Sequence, residues 1–296
     1  MRLHGGVIVP LITPYQPDGA VDVTAFGEHI GFLLEYVIDG VFVMGTTGET
    51  PLLTQNERET LIHKTVQTVR GKVTVFSGVG APSTQETIRW CQLTAEAGAD
   101  INVVITPYFF KLSQPALLNH LTQVADASPL PVVIYHYPAV TGNTLDPETV
   151  ARLARHENIV GLKDSSGDLK RFYLYLQATE SKNFSRFQAD DGLILPAMMI
   201  GGDGVVSGLA NAFPELIVDL VAAIRNEDLR RARETQGLIL TIQKIMLGSS
   251  PIAGIKACLE LKGKNYARWL RAPLEPMPAE SKHASEHLLR EKGLLA

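Results

Sequence analysis

The stretch IVGLKDSSGD, Ile159 to Asp168, opens as a run without polar alternation and then delivers a lysine followed by a turn. Such a run is the pattern of a parallel strand buried on both faces, with helices covering its outer side. Lys163 closes it. An ammonium is costly in apolar surroundings, so Lys163 reaches water along its stem, pairs with Asp164 or Asp168, or stands as a neutral amine.

Seven other runs share this character. GVIVPLIT (6–13), DGVFVMG (39–45), KVTVFSG (72–78), INVVITP (101–107) and PVVIYHY (131–137) precede it; RFQAD (186–190) and GVVSG (204–208) follow. The segments between them have helical spacing. VDVTAFGEHIGFLLEYVI (21–38) offers Asp22 as a cap, and TQNERETLIHKTVQTV (54–69) offers Thr54. STQETIRWCQLTAEAGA (83–99) sets Ser83 and Glu86 at capping-box spacing and stops at Gly98. Eight βα units predict an α/β fold, a (β/α)8 TIM barrel, because parallel strands need helical crossovers and eight units close a cylinder. An open doubly wound sheet is the alternative, but no GxGxxG follows the first strand.

After Asn226 the β pattern ends, and NEDLRRARETQGLILTIQKIM, PIAGIKACLELKG and ESKHASEHLLREKG read as helices. The expected organisation is a barrel over 1–225 and a C-terminal helical extension over 226–296, packed on the barrel because no long linker intervenes. The 27 Lys+Arg and 31 Asp+Glu give a net charge of −4 with no basic stretch, which argues against a nucleic-acid or anionic-membrane surface. Cys91 and Cys258 lie far apart without metal-ligand spacing. With no signal-like N-terminus and no membrane-length apolar run, they point to a reduced, cytoplasmic setting.

In such barrels the chemistry lies at the C-terminal strand ends. Three stretches meet that condition. Above an apolar interior Lys163 has its charged form disfavoured, and a neutral amine there can attack a ketone to form a Schiff base. GTTGE (45–49) follows the second strand; its glycines allow a tight turn exposing backbone N–H groups, and Thr46 and Thr47 add hydroxyls. That suits a small carboxylate, although a simple βα turn with a threonine cap would look the same. YHYPAVTG (135–142) closes the fifth strand, with Tyr135 and Tyr137 on one face and His136 on the other. Tyr135 could shuttle a proton beside Lys163 or could be aromatic packing, while His136 reads as structural. Lys256 also has apolar neighbours, and its helical pattern predicts a snorkelling stem.

GTTGE, YHYP and GLKDSSGD, in that order on strands two, five and six, resemble the dihydrodipicolinate synthase/N-acetylneuraminate lyase family of pyruvate-dependent class I aldolases. The similarity runs from Gly6 through about Asn211, includes STQET, ITPYFF and GGDGVVS, and continues more loosely to RAPLEP (271–276). It implies a homotetramer built as a dimer of dimers, with no metal or organic cofactor beyond the covalent Schiff base between Lys163 and pyruvate. It also implies site roles: Lys163 for the Schiff base and Tyr135 for proton shuttling. Thr46 and Thr47, with Gly48 in the same turn, are implied for the tyrosine and the pyruvate carboxylate, and the Val206 carbonyl for facing the pyruvyl group.

Three departures narrow the function. Val140 stands where dihydrodipicolinate synthases carry an arginine that grips the aldehyde's carboxylate, and valine offers neither charge nor hydrogen bonds. Ser165, two residues past the lysine, resembles the lyase branch, whose hydroxyl there meets substrate hydroxyls. Phe109 replaces a tyrosine that many members contribute across a subunit interface, and it cannot pass a proton. Asp190 and Asp191 lie at the right end of the seventh strand for substrate hydroxyls, with Asp191 the expected ligand and a solvated loop the competing reading. GGDG (201–204) precedes the eighth strand and so belongs to the stability face.

The expected activity is cleavage or formation of a 2-oxo-4-hydroxy acid to or from pyruvate and an aldehyde. YHYPAVTG looks closest to 2-keto-3-deoxy sugar acid aldolases, whereas STQET, VADASPLPVV and GLKDSSGD resemble 4-hydroxy-2-oxoglutarate enzymes. The rivals are a 4-hydroxy-tetrahydrodipicolinate synthase, using pyruvate and aspartate semialdehyde, and a non-catalytic 2-oxo-acid-binding protein. A metal-dependent aldolase is disfavoured, because no His/Asp/Glu cluster has suitable spacing.

Overall fold

A computed structural model describes residues 3, 5–180, 183–246 and 250–295. Eight parallel strands close on themselves in sequence order: β1 (Val7–Pro10), β2 (Gly40–Val43), β3 (Thr74–Gly78), β4 (Ile101–Ile105), β5 (Val132–His136), β6 (Ile159–Asp164), β7 (Ser185–Gln188) and β8 (Gly204–Val206). β8 pairs with β1 through Val205 and Val206 against Val7 and Ile8, so no sheet edge remains. This is the TIM barrel that the eight apolar runs predict, each strand falling inside its expected run or within one residue of it.

The crossovers are helical. α1 (Val23–Leu33), α2 (Gln55–Val69), α3 (Thr84–Glu96) and α4 (Gln114–Ala127) follow the first four strands. The short α5 (Pro138–Thr141) and α6 (Pro147–Leu153) follow β5, and α7 (Leu169–Ala178), α8 (Ile194–Met199) and α9 (Pro214–Arg225) follow the last three. The expected caps set their starts: Asp22 accepts from Ala25 N–H, Ser83 from Glu86 N–H, and Thr54 with Glu57 completes a reciprocal capping box.

Apolar side chains divide into an interior layer and outer layers beneath the helices. Ile8, Phe42, Phe76, Val103, Phe187 and Val206 fill the barrel, while Val132, Ile134, Ile159 and Leu162 pack outward. Three helices follow the barrel: α10 (Leu229–Met246), α11 (Pro251–Leu261) and α12 (Ala279–Glu291), with α10 packed on α9 and α11 on α10. No helix among the described residues is long and apolar enough to cross a membrane. Cys91 and Cys258 are buried free thiols.

Candidate active site

β5 and β6 bring the two expected catalytic side chains together. Tyr135 pairs laterally with Lys163, and both point into the barrel at its C-terminal end. Lys163 is 5% exposed, and its Nζ lies 3.5 Å from the centroid of the Tyr135 ring and 5.2 Å from that of Phe42. Among the described residues no carboxylate comes within ion-pair distance of it, so the expected alternative of a Lys163 pair with Asp164 or Asp168 is not what the structure shows. Asp164 instead faces outward and accepts from His136 Nδ1 at 2.8 Å and from Ser166. Burial pulls the Lys163 pKa down to about 7, opposed by the more distant charges of Asp191 and Asp164. Near neutrality, then, much of this amine is unprotonated.

The Tyr135 hydroxyl lies 3.2 Å from Thr46 Oγ1, and the Ser165 hydroxyl also approaches it. Burial raises the phenol to about 12, so Tyr135 is suited to pass a proton through its hydrogen bonds rather than to stand ionised. Thr46, Thr47 and Gly48 form a single 3₁₀ turn beginning after Gly45. The first N–H groups of such a turn have no partner within it and face outward from its start. Gly48 is different: its N–H donates to Gly45 O at 3.1 Å, and its carbonyl accepts from Thr13 Oγ1 at 2.7 Å. Its N–H and carbonyl thus help shape the turn that carries Thr46 and Thr47. Thr47 and Gly208 face one another, for a Cβ on Gly208 would lie 3.9 Å from Thr47 Oγ1. Val206 lines the barrel floor beneath Lys163.

Asp191 begins the short turn after β7. Its Oδ2 accepts from Leu209 N–H at 3.1 Å, while its buried Oδ1 has no hydrogen-bond partner. Desolvation raises its pKa to about 6. Asp190 plays a local part, capping the turn through Gly192 N–H. Its neighbour is thus the one with an unused acceptor.

A chamber of about 300 Å³ opens beside Tyr135 and Thr46, walled by Met44, Ile105, Tyr108 and Val140. Its wall at Val140 is apolar. Arg58 also lines it, stacked 3.7 Å over the Trp90 ring, with Nε and Nη2 buried and unpartnered. Sequence reasoning passed over Arg58, since one arginine in the polar run TQNERET carries no sign of what its helix faces. Phe109 and Phe110 stand at the rim, 87% and 65% exposed. Lys256 departs from expectation most. It does not snorkel: it is 1% exposed and ion-paired to Glu49, because the helix that carries it is covered on that side by β1's loop and by Trp269. Among the described residues no group of three or more His, Cys, Asp or Glu could hold a metal.

The chain matches the dihydrodipicolinate synthetase family over residues 3–292. An uncharacterised DapA-like lyase of Halobacterium salinarum is 37% identical over 295 residues, covering 100% of this chain and 96% of that one. A 4-hydroxy-tetrahydrodipicolinate synthase of Methanoculleus marisnigri is 36% identical over 275 residues, 92% of this chain and 94% of the other. Among solved structures, YagE, a prophage protein of Escherichia coli K12 in complex with pyruvate, superposes with a TM-score of 0.94 at 30% identity, covering 99% of both chains. Dihydrodipicolinate synthase from Aquifex aeolicus gives 0.93 at 32% identity and 98% coverage of each.

Proposed function

Because the chain belongs to the dihydrodipicolinate synthetase family of pyruvate-dependent lyases, we propose that it cleaves and forms a 2-oxo-4-hydroxy acid, with pyruvate as one product and an aldehyde as the other. The observation that carries this reading is the buried, unpaired amine of Lys163 against the ring of Tyr135. Lys163 Nζ attacks the C2 carbonyl and water leaves, giving an iminium. Tyr135 then takes the C4 hydroxyl proton and relays it toward Thr46 and Ser165 as the C3–C4 bond breaks. The bond's electron pair moves into the iminium as an enamine; C3 is protonated, and water releases pyruvate and restores the amine.

Thr46 and Thr47 hold the substrate carboxylate, which fixes C2 over Lys163 and converts binding into orientation. Ser165 and the free Oδ1 of Asp191 meet hydroxyls of the aldehyde portion. The Val206 carbonyl faces the pyruvyl group from β8. The apolar wall at Val140 offers no grip for a carboxylate on the aldehyde, so a 2-keto-3-deoxy sugar acid is the first candidate; the motifs STQET and GLKDSSGD keep 4-hydroxy-2-oxoglutarate, whose aldehyde does carry a carboxylate, as the second. The lysine forms the covalent intermediate without an organic cofactor, and we place the enzyme in the cytoplasm as a homotetramer. The names of several relatives favour a second reading, 4-hydroxy-tetrahydrodipicolinate synthase.

Incubation with pyruvate and borohydride, followed by peptide mapping, tests the chemistry. The reduced adduct is expected on the peptide carrying Lys163, and an adduct elsewhere refutes the mechanism. A panel of 2-oxo acids then separates substrates. Condensation of pyruvate with aspartate semialdehyde at a rate matching the best cleavage reaction would favour the synthase.

A further inference from the structure

Lys256 lies on α11, outside the barrel strands and outside the chemistry described above, yet it is among the most deeply buried large side chains. Its three N–H donors are all used: on Glu49 Oε1 at 2.5 Å, the Thr13 carbonyl at 2.8 Å and the Trp269 carbonyl at 2.7 Å. Glu49 is the last residue of GTTGE and is itself 2% exposed. Its other oxygen accepts from Arg271 N–H at 3.1 Å. The carboxylate therefore spans two segments of the C-terminal extension from the end of the turn that carries Thr46 and Thr47.

Apart from the contact of Thr46 Oγ1 with the Tyr135 hydroxyl at 3.2 Å, the other anchors of this turn among the described residues are local or come from β1's loop. Thr50 Oγ1 holds Gly45 O at 2.9 Å, Glu49 N–H holds Thr46 O at 3.0 Å, and Thr13 Oγ1 holds Gly48 O at 2.7 Å. Glu49 also sits at φ +57°, in the left-handed region that non-glycine residues avoid unless the surroundings impose it. The Lys256 pair is one of the contacts that hold Glu49 there, beside the Arg271 N–H. A charge pair this dry is a poor device for stability alone, since taking both ions out of water offsets most of their attraction. Its value lies in geometry: removing one partner leaves the other buried and unpaired, so the turn cannot relax without breaking the pair.

We propose that Lys256 is a positioning residue for the reaction, acting through Glu49 to fix the Thr46–Thr47 turn in the orientation that receives the 2-oxo acid's carboxylate. The proposal rests on the pyruvate-lyase reading of the site and deepens it. It assigns the C-terminal extension a role in selecting 2-oxo acids over ketones that lack a carboxylate. A loosened turn would weaken capture of the carboxylate and leave the amine of Lys163 as reactive as before toward a neutral ketone.

Borohydride trapping of the Lys163 adduct, run against pyruvate and against acetone in Lys256→Met and Glu49→Gln, tests this. In folded Lys256→Met the pyruvate concentration for half-maximal trapping should rise by about tenfold or more, while the acetone rate holds. Glu49→Gln should shift the same ratio in the same direction. If Lys256→Met fails to fold, Glu49→Gln carries both readings. An unchanged half-saturation in a folded variant, or an equal loss for pyruvate and acetone, overturns the proposal, since general loosening predicts the latter. A wild-type protein that forms no Lys163 adduct would overturn the lyase site itself, and this inference with it.

Discussion

Among the described residues two lysines, Lys163 and Lys256, are withdrawn from water, and their surroundings give them different chemistry. Lys256 keeps a carboxylate partner for its charge, whereas Lys163 lies against the Tyr135 and Phe42 rings with the Asp191 and Asp164 charges beyond ion-pair distance. Burial therefore lowers the Lys163 pKa from 10.5 to about 7. The neutral fraction grows as pH rises through that value, so the rate of adduct formation at subsaturating pyruvate should climb between about pH 6 and 8 and then level off. A lysine at its ordinary value would still be climbing at about pH 9. Asp191 sharpens the test. Its negative charge favours the ammonium and so raises the Lys163 pKa against desolvation; Asp191→Asn removes that support, and the midpoint should move to lower pH. A midpoint that stays or moves upward would break the electrostatic link. At this scale Lys163 was legible in the sequence because a lysine in an apolar strand is a conspicuous conflict. Lys256 was not, because helical spacing shows which residues share a face but not which carbonyls and carboxylates that face meets.

The pairing of Tyr135 with Lys163 depends on an irregularity between their strands. Val132 pairs with Ile159, but Val133 pairs with Gly161, so Val160 is an extra residue on β6. In an unbroken register Leu162 would stand opposite Tyr135 and face the interior, and the amine of Lys163, one position on, would point outward. Gly161 makes the bulge possible: a Cβ there would come within 2.7 Å of Ser185 O on β7. Gly161→Ala should therefore push β6 from β7, destabilise the fold by about 1–3 kcal/mol, and slow adduct formation more than that loss implies. Urea unfolding read beside trapping in the same variant separates the two effects; full trapping in a destabilised variant would show that the register tolerates the shift. Strand positions and helix caps were legible because period, apolar content and capping residues are local properties. The bulge was not, since IVGLKD spells a continuous apolar run whether or not one residue is unpaired. Only the neighbouring strands decide it.

At the scale of the whole molecule, the helices after the barrel hold its catalytic end from outside. α11 reaches the Thr46–Thr47 turn through Lys256, and α10 reaches the Asp191 turn through Gln236, which donates to Asp191 O at 2.9 Å and accepts from Leu195 N–H at 2.9 Å. The opposite rim has no such cover. Phe109 and Phe110 stack edge to face there with centroids 5.1 Å apart, and Phe109 is held at φ +81°, a conformation a bulky residue adopts only under constraint. Two exposed rings beside a chamber of about 300 Å³ form a contact surface that the single chain leaves unfilled. Burying both rings against another copy would contribute roughly 3–6 kcal/mol before the costs of association, enough to matter to an assembly. The proposed tetramer should therefore use this rim. Phe109→Ser with Phe110→Ser should lower the mass found by sedimentation equilibrium and remove the concentration dependence of the unfolding midpoint, while the separated chains still fold because neither ring supports its own barrel. Trapping by pyruvate separates assembly from chemistry. Dissociated chains that still form the Lys163 adduct but turn over poorly would place the contribution of assembly after adduct formation. An unchanged sedimentation profile would place the interface elsewhere on the molecule.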